Sequence, residues 1–194
     1  MLASSLMNAI ELLKQQHEKT KAALTAISEG KKMSPMELRK ASNELVAHMV
    51  IEEHVFYPRV KELMEVQIAE AFEEHAVARF ELARLIQATS MEERKMHASV
   101  LKELIEHHMR EEENEVFPKV KRALQGDELE RLGTKMLAMF GKAVGLGFEK
   151  LVVSSSQSLR RGARLTARSG RAGTRKAKSA SGRRRGTGRA SVRG

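Results

Sequence analysis

The chain has 194 residues, room for one or two domains, and a formal net charge of +10. The charge is unevenly placed: 13 of the 35 Lys and Arg follow Lys150, no acidic residue follows Glu149, and the first 150 residues carry 22 basic against 25 acidic side chains. Without cysteine the chain holds no disulfide, zinc–thiolate site or iron–sulfur cluster, and no stretch nears the roughly 20 apolar residues that span a bilayer.

The N-terminus, MLASSLMNAIELLKQQH, has no basic residue ahead of its apolar ones and is interrupted by Glu11 and Lys14. It reads as part of a domain rather than a signal peptide, and a cytoplasmic protein is expected. A first helix is predicted from about Ser5 to Ser28, with Leu6, Ile10, Leu13, His17, Leu24 and Ile27 near one face. SEGKKM is a turn. Ser34-Pro35-Met36-Glu37 is a capping box with proline at the first helical position, and it opens a second helix carrying Leu38, Leu45, His48 and Glu52. Pro58 lacks a donor, so a kink or break is expected there. A third helix runs from about Glu65 to Ala88. Ser90-Met91-Glu92-Glu93 caps a fourth, which carries Val100, Leu104, His108 and Glu112, with a second kink expected at Pro118. Asp127-Glu128-Leu129-Glu130 resembles a further cap and opens a short additional helix with Leu132, Met136, Leu137 and Phe140. The expected fold is all-α: an up-down-up-down four-helix bundle over residues 1–150, its core filled by Leu, Met, Ala and Val because aromatics are few.

Within this frame one pattern is written twice. LVAHMVIEEHVFYP at 45–58 and IEHHMREEENEVFP at 105–118 each place His-x-x-x-Glu ten residues before a proline. LLKQQHEKTK around His17 likewise resembles AFEEHAVARF around His75, and each histidine is followed four residues later by a base, Lys21 or Arg79. A helix advances about 1.5 Å and 100° per residue, so a step of four keeps His48 with Glu52, and His108 with Glu112, on one face. If His17 and His75 point inward at similar depth, four helices converge on one polar site. Four imidazoles and two carboxylates suit two first-row metal ions, with both carboxylates bridging and positions left for an external ligand. The competing reading is a partly buried charged network that binds no metal.

The order H…HxxxE…H…HxxxE on four helices, with the proline after each pair, resembles the hemerythrin-like, or HHE cation-binding, domain over about residues 5–145. The resemblance implies two iron ions in an oxygen-bridged non-haem site, with His17, His48, His75 and His108 as terminal ligands and Glu52 and Glu112 as bridges. It also implies a small ligand: dioxygen, peroxide or nitric oxide. The oxygen-carrying hemerythrins have a fifth histidine one turn from the first on the third helix, where this chain has Arg79 or Ala71. That difference favours sensing, iron handling, or an enzyme reducing or dismutating peroxide or nitric oxide over simple oxygen carriage. Ferritin-like Glu-x-x-His and the HExxH of zinc proteases are both absent.

Around these six, Lys21 and Arg79 either orient and neutralise the carboxylates or are surface bases. Glu53, Glu111 and Glu113 read as solvated groups or supports of the ligands. His54 and His107 are expected off the ligand face and His97 exposed. Tyr57 lies nearly opposite His48 on an ideal helix and is expected to pack in the core unless the Pro58 kink rotates it. Residues 151–194 form a Ser/Arg/Gly-rich basic tail with almost nothing to bury, expected to be disordered. Residues 154–194 could neutralise phosphates of DNA or RNA without sequence preference, since no aromatic is present for base stacking.

Overall fold

In a computed structural model the structure describes residues 7–150; the expectations for the basic tail and for Leu6 lie outside the described residues. Seven α-helical segments follow in order: α1 (Ala9–Ser28), α2 (Pro35–Ile51), α3 (Tyr57–Val60), α4 (Glu65–Gln87), α5 (Met91–Glu111), α6 (Phe117–Ala123) and α7 (Gly126–Leu146). The long helices α1, α2, α4 and α5 make the up-down-up-down bundle, with α1 on α5, α5 on α4, and α2 touching α1 and α4. Helix α7 lies against α1 and α2. Among the described residues no helix is long and apolar enough to cross a membrane.

The helix starts follow their capping chemistry. Asn8 accepts from the Ile10 and Glu11 amides while Glu11 reaches back to the Asn8 amide, so α1 begins at Ala9 rather than near Ser5. Ser34 and Ser90 form the two expected capping boxes with Glu37 and Glu93. Gly30, at φ +82°, takes the left-handed position that ends α1. The expected cap at Asp127 is not made: Gln125 precedes α7 without a side-chain cap, and Asp127 instead pairs with Arg131 one turn on. Helix α7 has 21 residues and continues through Gly141 to Leu146.

Neither proline breaks its helix. Each is preceded by one widened π-turn, Glu52–Phe56 and Glu112–Val116, in which the amide of Tyr57 or Phe117 donates to the carbonyl of Glu52 or Glu112. A proline clashes with the carbonyl four residues back and offers no donor, and an i→i+5 turn accommodates both demands.

The core has two apolar clusters. One gathers Leu13, Phe56, Tyr57, Phe117 and, from α7, Leu132 and Met136; the other gathers Leu24, Leu45, Met49, Leu82, Leu85, Leu101 and Ile105. Along each bundle helix the predicted polar residues fall between these clusters. On α5 the buried stripe is Leu101, Ile105, His108 and Met109, which leaves Val100 exposed; Leu137 of α7 is exposed too.

Candidate metal centre

All six predicted side chains are buried, none more than 3 % exposed. His17 comes from α1, His48 from α2, His75 from α4 and His108 from α5, while Glu52 and Glu112 stand at the first position of each π-turn. Glu52 Oε1 lies 3.2 Å from His48 Nε2, and its Oε2 lies 3.4 Å from His75 Nε2. Glu112 Oε2 lies 3.3 Å from His17 Nε2 and 3.6 Å from His108 Nε2. The Nε2 atoms of His75 and His108 face one another at 3.1 Å. The donors fall into two groups that share Glu52: His17, His48, Glu52 and Glu112 in one, Glu52, His75 and His108 in the other.

The outward nitrogens explain why the inward ones converge. Each Nδ1 has an oxygen acceptor: Glu113 for His17 at 2.8 Å, Gln16 for His48 at 2.8 Å, Glu53 for His75 at 2.9 Å and Glu74 for His108 at 2.7 Å. A proton held on Nδ1 leaves the lone pair of a neutral ring on Nε2, aimed at the centre. Lys21 Nζ lies 3.6 Å from Glu113 Oε1, and Arg79 Nη2 donates to Glu53 Oε1 at 2.6 Å. Both bases therefore touch the carboxylates that hold histidine rings, not Glu52 or Glu112.

These supports repeat as the six central residues do. Gln16 and Glu74 each precede the first histidine of their half and reach the second histidine of the same half. Glu53 and Glu113 each follow a central carboxylate and reach the first histidine of the other half. The motif alone points to the central residues and misses Gln16 and Glu74; carrying the alignment one residue outward on each side would have found all four.

Inside the ring, hydrogen bonds run out. His17 Nε2, His48 Nε2, both oxygens of Glu52 and Oε2 of Glu112 are buried without a partner. Each such group costs about 1–3 kcal/mol, more when charged. Ligands about 2.1 Å from a shared ion lie roughly 3.0–3.4 Å apart, close to the separations found here. Cations held in the two donor groups would satisfy these histidine and carboxylate atoms, and the residues present fit them.

A family model described as the hemerythrin HHE cation binding domain matches residues 8–120, more than half of the chain. The chain belongs to the hemerythrin HHE cation-binding family. No curated protein and no solved structure matches it significantly. Domains of this family bind metal cations, and the matched stretch ends before α7.

Two side chains of this HHE domain sit elsewhere than the helical wheel suggested. Tyr57 is buried, stacks on His75 at 5.8 Å and donates from its hydroxyl to Glu112 Oε1 at 3.0 Å. The extra residue in the π-turn rotates the next turn of helix by about 100° and brings the ring into the site. Its counterpart in the second half, Phe117, stacks on His17 at 5.8 Å and has no hydroxyl to offer. His97 is buried rather than exposed, its Nδ1 2.6 Å from Glu81 Oε1. Eleven residues before His108 is only about 20° around the helix yet about 16 Å along it, so His97 shares the face but not the centre. His54 and His107 are exposed.

Electrostatics split the two carboxyls. Burial, then the charge of nearby Glu112, push Glu52 well above the usual carboxylate range. Burial also acts on Glu112, but His108 and then His17 outweigh it and hold that group low. The pair is thus pushed apart, Glu52 toward its protonated form and Glu112 toward the carboxylate. Burial depresses His48 well below its ordinary value and His75 to about 4. His108 is raised: burial opposes, but Glu112 and Glu74 prevail. Burial and Glu112 keep the Tyr57 phenol protonated far above its normal range.

Proposed function

We propose that this HHE domain holds two iron ions in the buried ring, with His17, His48, His75, His108, Glu52 and Glu112 as ligands, and binds or senses dioxygen, peroxide, nitric oxide or iron itself. The convergence of four Nε2 atoms on buried, unpartnered carboxylate oxygens carries this reading. Imidazole with carboxylate suits iron among the first-row metals. When bound, a ferrous pair would supply electrons and an open position for a small ligand. Glu52 spans the two donor groups with one oxygen in each pair contact. Glu112 differs, because Tyr57 occupies its Oε1 and leaves only Oε2 to face the ring. The Nδ1 partners fix ring orientation, and the two apolar clusters exclude water from above and below.

Metal analysis with absorption spectra of the anaerobically reduced protein tests this. About two irons per chain are expected, with new charge-transfer bands on admitting air, peroxide or nitric oxide. Less than one iron per chain, or a spectrum indifferent to all three, overturns it.

A second reading, an enzyme that reduces or dismutates peroxide or nitric oxide, draws on Tyr57, a phenol held protonated against the ring. Turnover with a defined reductant separates the two; its absence in fully metallated protein rejects the enzyme. The charge of residues 154–194 supports a third role, localisation on nucleic acid. Equal DNA affinity with and without those residues, across a salt titration, removes it.

A further inference from the structure

The two halves repeat their ligands but not their surroundings. A cavity of about 240 Å³ opens between α4 and the α5–α6 arm, bordered by Glu70, Glu74, Glu111 and Glu115. It reaches inward to Tyr57, His108 and Glu112, the last only 2 % exposed and with its Oε2 unpartnered. At offsets of 58 and 60 residues, the offsets of the motif itself, the first half has Leu12, Gln16, Ile51 and Val55 where the second has those four acids. Leu12 and Ile51 are core residues, Val55 packs against the same cluster, and α7 brings Met136 and Phe140 to it. So α7, which lies beyond the matched family stretch, packs over the first-half approach and leaves there a smaller cavity of about 110 Å³ beside Leu12, Gln16 and Phe140, whereas the second-half approach is larger and acidic.

At the mouth of that approach stands a third donor group. His107 and Glu111 repeat the His-x-x-x-Glu spacing one residue out of phase with His108 and Glu112, and face Glu74 across the helix pair. His107 Nε2 lies 3.3 Å from Glu111 Oε1 and 3.6 Å from Glu74 Oε1. Glu74 uses its other oxygen on His108 Nδ1, so one carboxylate links the mouth to the ring. The first half has Ala47 and Ile51 at the matching positions and nothing that could bind an ion there.

We propose that Glu74, His107 and Glu111 form an outer divalent-cation site at the head of an acid-lined path by which metal enters the buried ring. One nitrogen and two carboxylates select a borderline divalent ion such as Fe²⁺, Mn²⁺ or Zn²⁺. The four acids focus cations toward the cavity and repel anions, an effect that changes on-rates by roughly 10- to 1,000-fold. The delivery role rests on the two-metal reading of the ring; the outer site does not.

The test uses the full chain and the double variant His107→Ala/Glu111→Gln, which alters exposed side chains and should melt within about 2 °C of the parent. Equilibrium dialysis against Mn²⁺, with the ring first loaded with iron, should find one further ion per chain in the parent and at least tenfold weaker binding in the variant. Stopped-flow Fe²⁺ uptake by metal-free protein at low salt should slow about tenfold in the variant and in Glu70→Gln/Glu115→Gln, with final iron content unchanged. No further Mn²⁺ in the parent, or equal binding in the variant, overturns the outer site. Equal uptake rates overturn the path. A ring that never takes iron defeats the di-iron reading instead. Mn²⁺ dialysis of metal-free parent and variant then decides the outer site: an equivalent lost in the variant upholds it, and equal binding overturns it.

Discussion

Replacing Glu52 and Glu112 one at a time by glutamine should give the same result with metal and different results without it. In the metal-free chain burial and Glu112 push Glu52 toward its protonated form. Glutamine has the shape and neutrality of that protonated acid, so Glu52→Gln should leave metal-free stability within about 1 kcal/mol of the parent. Glu112 is held as a carboxylate and accepts from the Tyr57 hydroxyl at 3.0 Å. A hydrogen bond to a charged group contributes about 1.5–3 kcal/mol and a neutral one about 0.5–1.5, so Glu112→Gln should cost about 1–2 kcal/mol. At about 3–4 °C per kcal/mol that is a Tm lower by roughly 3–8 °C, against little change for Glu52→Gln. With metal the two variants should converge. Free metal at about 1,000 times Kd stabilises by about 4 kcal/mol, roughly 12 °C or more here, and both variants should lose most of that gain with one anionic ligand gone. The assay is thermal melting at pH 7, first with chelator and then with added metal. Equal losses in chelator, or a Glu52→Gln protein destabilised more than its partner, would refute the assignment of the protonated form to Glu52.

Glu113→Gln should weaken metal binding by about 10- to 100-fold, because it loosens the grip on His17 Nδ1, and competition with a chromophoric chelator reads the change. Tyr57→Phe should fit, since Phe117 fills the equivalent place, but should cost about 1–3 kcal/mol in urea unfolding of the metal-free protein; an unchanged midpoint would mean Glu112 does not depend on that hydroxyl. Metal affinity should rise with pH, because Glu52 and His108, both raised, must release their protons to bind, whereas His75, at about 4, is already neutral at pH 7; calorimetry at pH 7 in buffers of different ionisation enthalpy should find protons released on binding, and no release would contradict the raised groups. Gly133→Ala should destabilise by about 1–3 kcal/mol with metal content retained, since a Cβ there would press on the Met7 carbonyl and lie 2.8 Å from Ala9 N, where α7 crosses the start of α1; a melting point equal to the parent's contradicts that packing.

The central six residues are legible because duplication filters chance: one His-x-x-x-Glu is common on helix surfaces, two in register ahead of equivalent prolines are not. The bundle is legible from periodicity and from the Ser34 and Ser90 capping boxes. Other features are hidden for physical reasons. Tyr57 cannot be placed by a wheel of constant pitch, since its orientation depends on a turn that changes the pitch five residues earlier. Gln16 and Glu74 look like surface residues beside His17 and His75, and their role appears only when the helix that carries His48 or His108 is laid alongside. His97 reads as exposed although its angular position matches His108, because its partner Glu81 lies on another helix.

The six-residue interval from Glu52 to Pro58, and again from Glu112 to Pro118, is a count that the chain must keep. Delete one residue within either interval and an ordinary turn would close there, swinging Tyr57 or Phe117 out of the interior while leaving every His and Glu of the motif in place. Relatives with a shortened interval would then share the signature yet lack the aromatic wall beside it, so spacing, as much as residue identity, marks which members of the family can build this same enclosure.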